Sequence, residues 1–312
     1  MRLYGNVLLW MFTVSAAFGG DLPAYNFLRN DVSARASAMG GSFVSMTNDP
    51  NLLFYNPAGL ATITNQQISL GYTKFLLDIH LGSLAYANEL SDIGMLGIGV
   101  NYVNYGSFDG RNDLGIETGT FNAGDAAFSL SLARTYEENL YYGITAKIIH
   151  SSIEQYSSSA LGFDFGILYS IPGDNPITLG AALTNAGTQL SAFDTQKESL
   201  PLELRIGGTI KPQHLPLLLN LNFTKLTEAQ SNFINHFSSF TLGGEFTASK
   251  TLRFRFGYSN EKRKELKIGT SAGLTGFSFG GGLVLNSIRI DYAFNSLGKI
   301  GSLNRITVGI DI

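Results

Sequence analysis

Two stretches of the 312-residue chain fit G-x-S-x-G, the pattern of a serine-hydrolase nucleophile elbow: Gly269-Thr270-Ser271-Ala272-Gly273 and Gly276-Phe277-Ser278-Phe279-Gly280. That chemistry requires a sharp strand–turn–helix that projects the serine oxygen toward a histidine base. Strand-like alternation follows both matches and no helical pattern does. In a chain with 36 glycines, two such hits are what chance provides. The histidines, His80, His150, His214 and His236, are scattered without metal-ligand spacing, and no cysteine completes a zinc site or a disulfide. The reading is therefore a protein that is not an enzyme, with no metal and no cofactor.

Charged residues offer a different chemistry. Lys147, Asp164, Glu203, Arg205, Glu245, Arg253, Arg255, Arg289 and Asp291 sit on the polar side of alternating stretches, in near balance of sign. Opposite charges on neighbouring strands can pair. A single sign would suit an ion-selective pore, whereas the mixture suggests a packed or obstructed interior. Lys262, Arg263 and Lys264, flanked by Glu261 and Glu265, form a basic run in a link. It reads either as a solvated hairpin tip or as a contact for anionic lipopolysaccharide or a partner subunit.

The elements that must position these residues are strands. Only 14% of the chain is charged and 44% is hydrophobic, against about 25% charged in an ordinary soluble domain. No apolar run is long enough for a membrane-crossing helix. A net charge of −3 argues against nucleic acid as a partner. From Gln66 onward, apolar and polar residues alternate with period two. Leu96, Ile98, Val100 and Tyr102 oppose Gly97, Gly99 and Asn101; Phe163, Phe165 and Ile167 oppose Asp164 and Gly166; Leu252, Phe254, Phe256 and Tyr258 oppose Arg253 and Arg255.

The pattern predicts an all-β, transmembrane antiparallel barrel of about fourteen strands, spanning residues 65–312. An apolar face toward lipid fixes the charged face toward the lumen, since each Arg or Lys facing lipid would cost about 2–4 kcal/mol. Long links are expected at Gly106–Ala123, Gly187–Ser199 and Thr227–Asn235, and short ones between them.

Residues 1–19 read as a secretory leader: Arg2, the apolar run Val7 to Val14, then small residues through Gly19. Residues 20–64 precede the first strand. Ser33 to Met39 is predicted to form a short helix closed by Gly40-Gly41. Within NDPNLLFYNPAGLA, residues 48 to 61, the apolar knot Leu52, Leu53, Phe54 and Tyr55 needs cover from water. A barrel of this size has room inside, so residues 20–64 are expected to form a luminal hatch, with Asn56, Pro57 and Ala58 part of it.

These residues also carry a resemblance. Tyr25-Asn26-Phe27-Leu28, Ser33-Ala34-Arg35, Met39-Gly40-Gly41, Asp49-Pro50 and Tyr55-Asn56-Pro57-Ala58-Gly59-Leu60 resemble the N-terminal signature of the PorV/PorQ family of FadL-like outer-membrane barrels. The Asn-Pro-Ala element is common to the wider FadL-like class. Phe256-Gly257-Tyr258, Arg263-Lys264-Glu265-Leu266-Lys267 and Gly276-Phe277-Ser278-Phe279-Gly280 resemble the PorQ branch in particular. A departure is the last residue, Ile312, where many outer-membrane barrels end in an aromatic.

The resemblance implies an outer-membrane accessory subunit of type IX secretion that helps attach secreted proteins at the cell surface. Its partners would be secretion and attachment proteins and outer-membrane lipid, including lipopolysaccharide. The alternative is a FadL-like transporter of small hydrophobic compounds, with Leu52, Leu53 and Phe54 lining a ligand pocket in the lumen and a gap in the wall.

Overall fold

The computed structural model describes residues 23–228, 232–267 and 273–312. The leader read at residues 1–19 and Ser271 lie outside the described residues. Fourteen strands follow one another: β1 (Gln67–Lys74), β2 (His80–Leu90), β3 (Gly94–Arg111), β4 (Glu117–Glu137), β5 (Leu140–Ile153), β6 (Tyr156–Ile171), β7 (Ile177–Ser191), β8 (Glu203–Ile210), β9 (Leu217–Phe223), β10 (Phe240–Thr247), β11 (Leu252–Ser259), β12 (Phe277–Leu285), β13 (Ile288–Ser296) and β14 (Ser302–Asp311). Each pairs antiparallel with its sequence neighbours, and β1 pairs with β14, so the sheet closes on itself. Closure leaves no unpaired edge.

The register keeps like faces together. Ile144 on β5 stands opposite Leu132 on β4 and Phe165 on β6, all outward; Thr145 stands opposite Ser131 and Asp164, all inward. A slip of one residue would exchange the two faces. The outward face is apolar and bare: Ile148 is 63% exposed, Phe128 60% and Leu130 57%. Such a band is far larger than a soluble monomer shows to water, and its strands have bilayer-crossing length. Exposed Tyr72 and Tyr102 lie toward one end of the wall and Tyr136, Tyr142 and Tyr169 toward the other, as aromatic girdles do. No helix among the described residues is long and apolar enough to cross a membrane.

Two expected links are different in the structure. Gly106–Ala123 is mostly strand, because β3 runs on to Arg111 and β4 begins at Glu117. Stacked Phe108 and Phe121, with ring centroids 5.4 Å apart, and the Arg111–Glu117 pair at 2.7 Å hold this projecting hairpin together. The link expected over Gly187–Ser199 starts later, since β7 continues to Ser191. The link at 260–276 opens with a short helix, α2 (Asn260–Glu265). Ser278 lies near the start of β12 and accepts from Asn295 Nδ2 at 2.7 Å. Its strand setting is not the strand–turn–helix of a nucleophile elbow.

Candidate functional site: the filled interior of the barrel

Residues 23–64 lie against the inward faces of the strands. A 3-10 turn at Asn26–Arg29 is followed by α1 (Ala34–Ala38), whose N-cap Ser33 accepts from Ala36 N. Gly40 and Gly41, at φ 71° and 84°, end it, a left-handed exit that glycine takes without strain. Two more 3-10 turns, Pro50–Phe54 and Pro57–Thr62, each place proline at the first helical position and a capping Asp49 or Asn56 before it. These short turns coil the apolar knot into a compact body. Leu52, Leu53 and Ala58 are fully buried, Tyr55, Asn56 and Pro57 are buried, and Phe54 is half-buried. Tyr55 accepts from Val32 N at 3.1 Å and meets Phe43 edge-on.

At its closest backbone approaches to this body the wall makes room with glycine. A Cβ on Gly166 of β6 would sit 2.0 Å from Asn56 Oδ1, and one on Gly143 of β5 would sit 2.5 Å from the Pro57 carbonyl carbon. On the far side, Gly257 of β11 leaves the same room for Gly40, with 2.1 Å to its nitrogen. Asn56 Nδ2 donates to Val44 O at 2.7 Å and to Ile167 O at 3.1 Å, joining the inner segment to the backbone of β6.

Charges complete the attachment. Arg35 of α1 donates to Glu245 of β10 at 2.9 and 3.0 Å and to Asp49 at 3.3 Å. Arg255 of β11 joins Glu245 at 2.6 Å to Asp291 of β13 at 2.7 Å, and Arg289 reaches Asp49 at 3.1 Å. Arg289 Nε also lies 3.1 Å from Asp291 Oδ2, but neither atom is hydrogen-bonded, so that contact is electrostatic only. Three guanidinium groups thus face three carboxylates, two of the six coming from the inner segment. A buried pair of this kind returns its desolvation cost only with good geometry, and removing one partner costs about 3–5 kcal/mol.

A second centre forms where the β6–β7 ladder shifts register between Phe163 and Phe165. The shift puts Asn185 at φ 61°, a conformation asparagine tolerates. Its backbone N–H donates to Asp164 at 2.8 Å, and its side-chain oxygen accepts from Lys147 at 2.8 Å. Lys147 Nζ is 2.7 Å from Asp164 Oδ2. Glu203 accepts from Arg205 at 2.7 Å, and Arg29 lies 3.9 Å from it. Arg253 forms no ion pair among the described residues.

Toward the other end of the lumen the lining is apolar. Leu81, Val103, Ala127, Ile149 and Ala160 point inward from five successive strands and pack with Tyr25, Phe27, Val32 and Leu52. Beside this patch the β3–β4 ladder breaks between Asn104 and Ser107. A cavity of about 430 Å³ lies there on the outer face of the wall, lined by Tyr102, Asn104, Gly124, His150 and Ser152 among others. Tyr105 turns inward at the break and donates to Asp125 at 2.6 Å, and Ser151 also bonds that carboxylate.

The basic run lies on α2. Lys262 turns back to Asp31 at 3.1 Å, Arg263 lies over the Phe277 ring at 6.0 Å, and Lys264 is exposed. Burial raises the Asp31 pKa, but Lys262 and the more distant Arg305 and Arg205 outweigh it and hold the carboxyl below its ordinary value. Sequence reasoning did not single out Asp31, and gave Arg35 and Asp49 only as part of the resemblance, not as charge partners. The available signal was that Arg35 and Asp49 are the only charged residues between Val32 and Ile63. It also passed over Arg305, which is buried on β14 and donates to Thr73 at 2.7 Å and to Ser37.

No family model matches the sequence, and no curated protein matches it. Solved structures do. The chain is similar to the Pseudomonas putida toluene transporter TodX at 13% identity and a TM-score of 0.57, with 93% of this chain and 98% of that one covered. A Pseudomonas aeruginosa FadL homologue matches at 13% identity and 0.56, over 90% and 98% of the two chains. The CymD monoaromatic hydrocarbon channel matches at 13% and 0.56, over 92% and 97%. At such identities the likeness is one of fold, and the fold is that of the FadL-like outer-membrane barrels.

Proposed function

We propose that residues 20–64 form a hatch that stays in the lumen, and that the barrel works as an outer-membrane docking subunit that helps attach secreted proteins at the cell surface. The observation that carries this reading is the ion network tying Arg35 and Asp49 to Glu245, Arg255, Asp291 and Arg289. A bore closed by six interlocked charges suits a protein that offers its loops rather than its channel. The choice of partner, components of type IX secretion, rests on the sequence resemblance alone. On this reading residues 1–19 are an export leader, and the barrel sits in the outer membrane among lipid and lipopolysaccharide. The test is deletion of the gene together with affinity capture of the tagged barrel from outer membranes. Cargo released from the surface and secretion proteins captured with the barrel support the role; cargo still attached after deletion excludes it.

Transport of a small hydrophobic compound is the second reading, and the solved neighbours weigh toward it. Among them are a toluene transporter and a monoaromatic hydrocarbon channel. The bulge in the β3–β4 ladder, with a cavity on the outer face of the wall across from the apolar part of the lumen, is the place where a compound could pass the wall. Vesicles carrying the purified barrel distinguish the two. Uptake of a monoaromatic hydrocarbon faster than in empty vesicles supports transport, and equal rates count against it.

A further inference from the structure

The ion network around Glu245 leaves one neighbouring guanidinium without a carboxylate. Arg35, Arg255 and Arg289 are matched by Glu245, Asp49 and Asp291, which leaves no carboxylate of that group for Arg253. Arg253 is half-buried, and its Nε has no hydrogen-bond partner among the described residues. It lines a cavity of about 450 Å³ at the end of the barrel where β1 begins and β14 ends. Arg35, Lys211, Arg253 and Arg289 face Glu245 and Asp311 across this space. Glu245 is already engaged by Arg35 at 2.9 Å and Arg255 at 2.6 Å, and Asp311 stands exposed at the rim.

A guanidinium drawn partly out of water, among like charges and with its Nε unbonded, gains when an anion joins it. We propose that this cavity is a binding site for an oxyanion, a carboxylate or phosphate group, held by the planar fork of Arg253 and attracted by Lys211 at the rim. The two groups share the chemistry a guanidinium recognises, a pair of oxygens matching two parallel N–H bonds. The site shares Arg35, Glu245 and Arg289 with the ion network but opens at the end carrying the shorter turns, and its test reads anion binding rather than attachment or transport.

Isothermal titration of the detergent-solubilised full chain tests it. Inorganic phosphate is titrated in one arm and a triglutamate peptide in the other, each against sodium chloride of equal ionic strength. Saturable binding is expected in at least one arm; phosphate alone identifies a free anion, and the peptide identifies a carboxylate-bearing chain. Arg253→Gln weakens that binding about tenfold, the scale of one charge-assisted bond. Arg253→Lys restores only part of it, since an ammonium lacks the fork. Lys211→Gln, remote from the packed interior, weakens binding about threefold and supplies the answer if Arg253→Gln does not fold. No saturable heat in either arm, or binding unchanged in the variants that fold, overturns the proposal.

Discussion

Lys147 and Asp164 show what a buried charge does in this interior. The pair is 2.7 Å apart and both side chains are nearly or fully buried. Removing one partner strands the other, so Lys147→Met should cost about 3–5 kcal/mol. Replacing both, as Lys147→Met with Asp164→Leu, should cost clearly less than the single change, because no charge is then left alone. Urea unfolding from lipid vesicles measures both, and a double variant as unstable as the single one would contradict the account. Alternation in the sequence separates Asp164 from Phe163 and Phe165, and Lys147 from Ile148. It carries no information on who meets whom. Asn185 becomes a partner only through a shift of ladder register, and Arg35 only because a helix distant in sequence is laid against β11–β14, within reach of Glu245 on β10.

At the scale of elements, the inner segment rests on missing side chains and is tied at its upper rim. Gly166→Leu would drive a side chain into Asn56, whose Oδ1 lies 2.0 Å from where an added Cβ would sit. The expected result is displacement of the segment. Val44, 1% exposed, reports it: in a chain without other cysteines, Val44→Cys should resist a water-soluble maleimide in the parent and react in the Gly166→Leu background. Equal, slow labelling in both would mean that the segment accommodates the leucine.

The tie at the rim is Asp31 to Lys262. Because Asp31 titrates below its ordinary value of 3.8, its contribution is complete above that pH and is lost as pH falls through the lower, folded value. A spin label at the exposed Lys264→Cys should keep the same mobility from about pH 5 to pH 8, become mobile only in stronger acid, and be mobile throughout in Asp31→Asn. Period-two alternation made the strands legible. Pro50, Pro57 and Gly40-Gly41 made the short turns legible as turns. The helix α2 was missed because six residues, with a serine cap as their main signal, give too short a period to detect.

For the whole molecule, the lipid-facing surface governs insertion. Ile148→Arg, at an outward position in the middle of β5, should lower folding stability by about 2–4 kcal/mol, as expected for a cation near the bilayer midplane. Folding titrations in vesicles of defined thickness check this, and no loss would mean that the residue does not face acyl chains. Strand number and closure were readable because fourteen alternating stretches leave few other ways to hide so much apolar surface. The links near residues 106–123 and 187–199 were not, because strand continues past the wall wherever local pairs such as Phe108 with Phe121 sustain it.

The seam between β1 and β14 joins the first strand to the last, and the chain that leads into β1 lies enclosed by the ring. Synthesis therefore delivers the contents before the container. With glycine-lined contacts on β5, β6 and β11 that admit no side chain, a cylinder zipped up empty would have no easy way to swallow its own beginning afterwards. The closed seam and the glycine contacts together favour an order of assembly in which residues 23–64 nest among the strands before the final one swings home.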